Sequence, residues 1–284
     1  NILKMRHPVT GGIHTIYKQC STSTGRFASG DTKNGHPNMA QIPRENQYRI
    51  PFKARPGYKI MTIDFTGCEL TILASESKDR KLISLLMDED KDLHTYLANA
   101  CWRVLKNDPD YEITPAERTA FKGVNFGMVY GATPMRIASL LNIPLEQAKQ
   151  IEETLRMEIP QVFNYLDSVS QKAVKNGYVV FNNRTNSRRW FKEVLSSFGG
   201  EPLDRTSRGN VERAAKNAPI QGTNADMMKE CMVKLHAYFD KKDIDAHILL
   251  QVYDELVIEI NEKIAYKEAP IIQDIMNDVA DQYL

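Results

Sequence analysis

The sequence predicts an α+β fold: a small antiparallel sheet whose strands are separated in the chain by a long helical insertion. Three observations predict it. An apolar, strand-like run, YKIMTID, occupies residues 58–64. A second, HILLQVYDELVIEI, occupies residues 247–260 and reads as strand–turn–strand with an acidic pair at its tip. Between them lie successive helical stretches punctuated by Pro and Gly, with one polar hairpin among them.

Residues 1–57 are rich in Gly, Pro, Ser, Thr and Asn and read as loops and short pieces. Residues 59–64 form the first strand. Helices are expected over 69–77, 79–87 and 92–105, the last capped by Asp90 or Asp92. Thr114, Pro115 and Glu117 supply an N-cap, a first-position proline and an acid at the third position, so a helix should run from there to about Tyr130 and stop at Gly131. Three more follow over 134–141, 145–158 and 160–176. The runs 178–181 and 188–191 flank the polar stretch NNRTNS and read as a hairpin. A helix over 205–217 should be interrupted by Pro219, with the next running from 220 or 221 to 240. The chain is helical again over 265–283.

The chain has 284 residues, 42% hydrophobic and 26% charged, as in soluble globular proteins. No apolar run approaches the roughly 20 residues that span a bilayer, so no membrane partner is expected. No signal peptide is visible, and a first residue other than Met suggests a piece of a longer chain. The four cysteines are scattered and suggest neither a zinc site nor a disulfide framework, which favours a reducing compartment. A net charge of +1 does not advertise a nucleic-acid binder. The cations are nevertheless grouped: Arg118, Lys122 and Arg136; Arg184, Arg188, Arg189 and Lys192; Arg205, Arg208, Arg213 and Lys216.

Asp64 ends the first strand, and Asp254 with Glu255 sits 190 positions later at the tip of the second run. A carboxylate ending a buried strand is costly unless compensated, and a divalent cation is a common remedy. If folding joins the two strand ends, Asp64 and Asp254 form a site for two Mg2+ ions, suited to phosphoryl transfer. Glu255 is a further candidate ligand, or a structural residue.

The segment RTAFKGVNFGMVYG, residues 118–131, places Arg118, Lys122, Phe126 and Tyr130 four residues apart in series. Four residues turn a helix by about 400°, so all four share one face. Two cations followed by two aromatics suit a nucleoside triphosphate, phosphates on the cations and base and sugar on the rings. Gly123 and Gly127 each cost about 1 kcal/mol relative to Ala, which suggests close approach or helix movement.

These residues, with others, resemble the polymerase domain of family A DNA polymerases. DFTGCEL (64–70) is similar to the family's DYSQIEL motif, and RTAFKGVNFGMVYG to its RxxxKxxxFGxxYG helix. ERAAKNAPIQGTNAD (212–226) resembles RxxxNxPxQGTxAD, and LLQVYDEL (249–256) resembles QVHDEL. STGRFAS and PNMAQIP (23–29 and 37–43) resemble TGRLSS and PNLQNIP. The blocks stand in family order across most of the chain.

The resemblance implies a right-hand polymerase with a palm of antiparallel sheet and inserted helical fingers. Palm would occupy 1–77 and 177–284, and fingers 78–176. Only about 22 residues precede Ser23, so the thumb is expected to be largely absent and DNA binding weak. The implied activity is DNA-templated DNA synthesis from dNTPs on a primer, with two Mg2+ ions and release of pyrophosphate. Asp64 and Asp254 would hold the metals with the Phe65 backbone carbonyl. Arg118 and Lys122 would bind phosphates, Lys122 protonating pyrophosphate, and His94 in KDLHTY would touch the β-phosphate. Glu69, paired with Tyr130, would exclude a ribose 2′-hydroxyl. Phe126 would sit by the sugar. Arg26, Arg213, Asn217, Gln221 and Tyr253 would hold the primer–template minor groove.

The departures are Gly67 and Cys68 for the usual Gln and Ile, Ala40 and Gln41 for Gln and Asn, Tyr253 for His, and a hairpin longer than the usual GRRR turn. They suggest a divergent, phage or viral member. Partners would be primer–template DNA, dNTPs, and a processivity factor or a thumb and exonuclease region of a parent chain. The location would be the cytoplasm of a bacterial or phage-infected cell, or an organelle. Two alternatives stand beside this: a single-subunit RNA polymerase-like enzyme, against which Glu69 argues, and an inactive DNA-binding remnant.

Overall fold

A computed structural model describes the chain except residue 1, Arg44, Tyr130 and residues 199–201, with Ile2, Leu3, Met128 and Val129 described by backbone alone. Residues up to 57 hold short pieces, as their composition dictates: strands β1 (Tyr17–Lys18) and β2 (Ala28–Ser29), helix α1 (Asn46–Arg49) and three single 3-10 turns. Then come β3 (Tyr58–Asp64) and seven helices: α2 (Cys68–Ser77), α3 (Arg80–Met87), α4 (Leu93–Lys106), α5 (Pro115–Val129), α6 (Pro134–Leu141), α7 (Leu145–Glu158) and α8 (Pro160–Asn176). The hairpin β4 (Tyr178–Val180) and β5 (Arg188–Trp190) leads into α9 (Lys192–Ser197) and α10 (Arg205–Lys242). Strands β6 (Ala246–Val252) and β7 (Glu255–Asn261) and helix α11 (Ala265–Ala280) complete the order.

The chain forms two compact units. One combines residues 1–66 with 221–283; the other is 67–220, with Leu284. Compactness therefore divides the chain after Thr66 and Ile220, where the sequence placed palm and fingers divisions after 77 and 176.

The first unit is built on a three-stranded antiparallel sheet of order β3-β7-β6. β3 pairs with β7 from Tyr58↔Asn261 to Asp64↔Glu255 without a break. β6 pairs with β7 from Ala246↔Ile260 to Val252↔Glu255, with a bulge between Ile248 and Leu250. The central strand carries the core: Leu256, Ile258 and Ile260 are fully buried. Glu259 of β7 is also buried, and Arg55 compensates it with its backbone N–H at 2.8 Å and its Nε at 2.7 Å. The Tyr58 hydroxyl closes the same end of the sheet on the Asp245 carboxylate, 3.0 Å from both oxygens.

The second unit is a helical assembly. Asp79 is buried and caps α3, accepting from the N–H groups of Lys81 and Leu82 at 3.0 Å, while its other oxygen accepts from Gln161 N–H at 3.0 Å. One carboxylate thus ties the first turn of α3 to the first turn of α8. At α4 the cap is Asp92, accepting from Thr95 N–H at 2.7 Å. Thr114 and Glu117 form the reciprocal capping box expected of their spacing: Thr114 N–H reaches Glu117 Oε2 at 2.8 Å, and Glu117 N–H reaches Thr114 Oγ1 at 3.2 Å. The hairpin packs through Val179, Phe181 and Phe191 on Val169 and Ala173 of α8, Val194 of α9 and Val211 and Ala215 of α10. Gly177 makes the turn from α8 into β4 at φ +74°; a Cβ there would fall 2.5 Å from Leu195.

Three expectations are corrected. Pro219 does not interrupt a helix: α10 runs unbroken over 38 residues with Pro219 inside it. The missing N–H and ring clash cost about 3 kcal/mol, offset here by burial of Ala218, Pro219 and Ile220. Helix α9 was not anticipated, because a six-residue helix is too short to show periodicity. The strand carrying Asp64 is not buried; its seven residues are exposed or intermediate, and β3 lies at one edge of the sheet.

Candidate active site

The first cluster lies in the sheet unit. Asp64 is the last residue of β3 and pairs directly with Glu255, the first of β7. Residues directly opposite in an antiparallel pair put their side chains on one face. Tyr253 and Asp254 make the two-residue link from β6 to β7. Phe65 N–H donates to the Asp254 carbonyl at 3.3 Å, continuing the ladder past the strand ends. The two aspartates separated by 190 positions are therefore brought to one end of one sheet. Asp64 is exposed, so burial does not explain it. What marks the spot is a carboxylate facing a carboxylate across a strand pair, two like charges directly opposite one another.

Among the described residues, no three His, Cys, Asp or Glu side chains gather as a ready cation cage. Mg2+ is commonly held by one or two carboxylates, with substrate phosphates and water completing its shell. The hard oxygen donors of Asp64 and Asp254, at the solvent-reached end of the sheet, fit that manner of binding.

The tip is held by residues the sequence did not single out. The Tyr17 hydroxyl donates to the Gln251 carbonyl and accepts from the Gln251 N–H, each at 3.0 Å. One hydroxyl thus occupies both outward groups of that residue on the β6 edge. The Gln251 side-chain amide donates in turn to the Tyr253 carbonyl. Tyr253 sits at φ +59°, a conformation disfavoured for a bulky side chain. Arg26 lies 5.9 Å from the Tyr253 ring centroid, so two residues expected to hold primer–template stand together. Burial raises the Tyr17 hydroxyl above its ordinary pKa, keeping it protonated and able to donate. No sequence signal marks Tyr17, because its contact spans 234 positions.

The second cluster lies in the helical unit. Arg118, Lys122 and Phe126 follow one another at four-residue steps on α5, and Lys122 Nζ stands 6.0 Å from the Phe126 ring centroid. Arg118 grips Asp92 with Nε and Nη2, both at 2.8 Å. The bidentate guanidinium holds the Asp92 carboxyl well below the usual carboxylate range. His94, on α4, lies 5.8 Å from Phe126 between ring centroids. Asn125, fully buried on α5, contacts His94 Nδ1 at 2.9 Å through its amide nitrogen. With that nitrogen donating, Nδ1 is the acceptor and Nε2 carries the proton. Burial, with Lys122 and Arg118 nearby, lowers the His94 pKa against the opposing pull of Asp92. The four expected phosphate and base contacts Arg118, Lys122, Phe126 and His94 therefore form one group; Tyr130 lies outside the described residues.

Gly127 packs closely, since a Cβ would lie 3.1 Å from that of Ala132, whereas at Gly123 the nearest atom would be 3.7 Å away. Close approach thus accounts for one of the two glycines. Both line a cavity of about 520 Å3 with Phe126, Arg136, Leu140 and Arg213. Glu69 is half-buried in the first turn of α2. Arg213 and Asn217 stand one turn apart on the part of α10 in the helical unit, and Gln221 begins the part in the sheet unit. No helix among the described residues is long and apolar enough to cross a membrane.

A family model described as DNA polymerase family A matches residues 1–284. DNA polymerase I of Caldicellulosiruptor bescii is 33% identical over 279 residues, covering 97% of this chain and 30% of the relative. The thermostable DNA polymerase I of Thermus aquaticus is 33% identical over 277 residues, covering 96% of this chain and 31% of the relative. Among solved structures, the POL domain of Pol1 from M. smegmatis, in complex with DNA primer-template and dNTP, superposes with a TM-score of 0.84 at 31% identity. That match covers 98% of this chain and 47% of the other. The chain thus spans about three-tenths of the length of these curated relatives.

Proposed function

The chain belongs to DNA polymerase family A, and from that premise we propose that it adds deoxynucleotides to a primer 3′-hydroxyl on a DNA template, releasing pyrophosphate. The observation that carries the reading is the sheet register that sets Asp64 opposite Glu255 and joins Phe65 to Asp254. Residues 1–77 and 177–284 are read as palm and 78–176 as fingers.

Asp64 and Asp254 would hold two Mg2+ ions, with the Phe65 carbonyl and Glu255 as further ligands. When bound, the ions lower the pKa of the primer hydroxyl and neutralise charge on the triphosphate and leaving group. The protein's own groups do the positioning. Arg118 exchanges the Asp92 carboxylate for phosphate oxygens, a swap between two bidentate anionic partners of the same guanidinium. Lys122 Nζ contacts the leaving phosphates and delivers a proton to pyrophosphate. His94, neutral and protonated at Nε2, donates to a phosphate oxygen. Phe126 packs on the nucleotide, and Glu69 with Tyr130 blocks a 2′-hydroxyl. Arg26, Arg213, Asn217, Gln221 and Tyr253 hold the primer–template minor groove, where acceptors recur at similar places for every pair. The named relatives are DNA polymerases, which favours DNA over RNA synthesis.

The test is Mg2+-dependent extension of a labelled primer. Asp64→Asn and Asp254→Asn should each lower the rate by about a thousandfold, since a bound metal contributes several kcal/mol at the transition state. Equal rates for Asp254→Asn and wild type would refute the assignment. Glu69→Ala should raise ribonucleotide use relative to deoxynucleotide use; an unchanged ratio would remove the gate.

A further inference from the structure

The hairpin β4–β5 carries a feature that the reaction above does not use. Its register pairs Tyr178 with Trp190 and Val180 with Arg188. These side chains share one face, while Val179 and Arg189 point to the other. The inner face is anchored: Val179 is buried in the core, and Arg189 Nη1 donates to the Ala214 carbonyl. On the outer face Trp190 is 54% exposed. Its ring lies 4.9 Å from that of Tyr178 at 46°, and the Arg188 guanidinium stands 4.9 Å from the Tyr178 centroid. A tryptophan, a tyrosine and an arginine thus form one continuous surface in solvent.

The adjoining loop is ordered by one buried side chain. Asn182 Oδ1 accepts from Arg184 N–H at 3.1 Å, Thr185 N–H at 2.9 Å and the Thr185 hydroxyl at 3.2 Å. Residues 182–192 hold four cations and no acid. Arg184, Arg188 and Lys192 are exposed.

We propose that this face is a binding platform for single-stranded DNA, one base stacking on Trp190 and adjacent phosphates lying against Arg184, Arg188 and Lys192. Every base has a π-face, so such stacking is tolerant of sequence, and a basic margin beside it tracks the strand. Within a duplex the bases cover one another, and only the two end pairs leave a face open. The choice of DNA rests on the function proposed above, in which the unpaired part of the template is the single strand at hand. The stacking geometry does not depend on that choice.

The chain has two tryptophans, so Trp102→Phe leaves Trp190 as the sole reporter. Adding a short oligo(dT) to that variant should quench its emission saturably, whereas blunt duplex of equal length should not. Trp190→Ala and Arg188→Ala, checked for folding by circular dichroism, should each weaken binding of a primer–template with a single-stranded template extension by about tenfold, the order expected for one lost stacked base. Blunt-duplex affinity should be unchanged. Absence of quenching, or equal loss of affinity for both substrates, would overturn the platform. Asp254→Asn separates the two proposals: it should abolish extension and leave quenching intact. Quenching without wild-type extension would remove the polymerase reading and keep the platform; extension without quenching would do the reverse.

Discussion

Tyr17 and Asn125 do their work one layer behind the residues expected to meet substrate. The Tyr17 hydroxyl satisfies two backbone groups of Gln251, whose amide holds the carbonyl before Asp254. Tyr17→Phe keeps the ring and deletes both bonds. It should cost about 1–3 kcal/mol, the penalty for polar groups left without partners. It should also lower kcat about tenfold with little change in dNTP KM, because the lost precision lies at the proposed metal ligands. Thermal melts and steady-state extension measure the two effects. A variant with unchanged Mn2+ affinity by electron paramagnetic resonance would show that Tyr17 does not position the ligands.

His94 gives a pH prediction. Its pKa in the fold lies below its ordinary value of 6.5, with burial the largest cause. The fold therefore favours the neutral ring. The associated stability is fully present above about pH 6.5 and is lost as pH falls from there through the folded pKa. His94→Gln should flatten that part of the profile, measured as denaturant midpoints between about pH 5 and 8. A parallel slope in wild type and variant would count against it.

Asp64, Asp254, Arg118 and Lys122 stand out as candidates in the sequence because each lies in a motif of several residues with fixed spacing. Tyr17 was not, since nothing local distinguishes it from any tyrosine in a loop. The burial reasoning for Asp64 fails, because Asp64 is exposed. The sheet's buried carboxylate is Glu259, and Arg55 already compensates it.

At the scale of elements, the long helices followed from their caps. Asp79 is the most consequential, because it closes the first turns of α3 and α8 together. Asp79→Ala should destabilise the protein by about 2–4 kcal/mol, above the usual loss for a cap, since three N–H groups, that of buried Leu82 among them, lose the carboxylate they share. Asp79→Asn should recover part of that loss, having one acceptor oxygen. Equal melting temperatures for wild type and Asp79→Ala would contradict the double cap. Pro219 shows where local rules gave way. A proline reads as a helix stop, yet burial carries α10 through it. Sequence periodicity could not reveal this, because the compensating contacts come from other elements.

At the scale of the whole molecule, the two units differ in how the chain builds them. The helical unit is one continuous stretch, 67–220, and its contacts are mostly local or between near neighbours. The sheet unit needs β3 to find β7, so its register closes over about 190 to 200 residues. Loop closure on that scale slows folding. In pulse-labelled hydrogen exchange during refolding, amides of α4, α7 and α8 should therefore gain protection before those of β3 and β7. Excised residues 67–220 should melt cooperatively, whereas residues 1–66 alone should show no sheet signal. Simultaneous protection of all these amides would refute the order.

The register of β3 against β7 also bears on synthesis by the ribosome. Asp64 leaves the exit tunnel about 190 residues before the strand that pairs with it. A chain cut short before residue 254 lacks the second aspartate, and one ending before 261 cannot complete the pairing that sets it opposite the first. If the two aspartates act as proposed, prematurely terminated products would be unable to add nucleotides to DNA. Under the proposed function, competence at the primer terminus is in this sense a read-out that translation has run past β7.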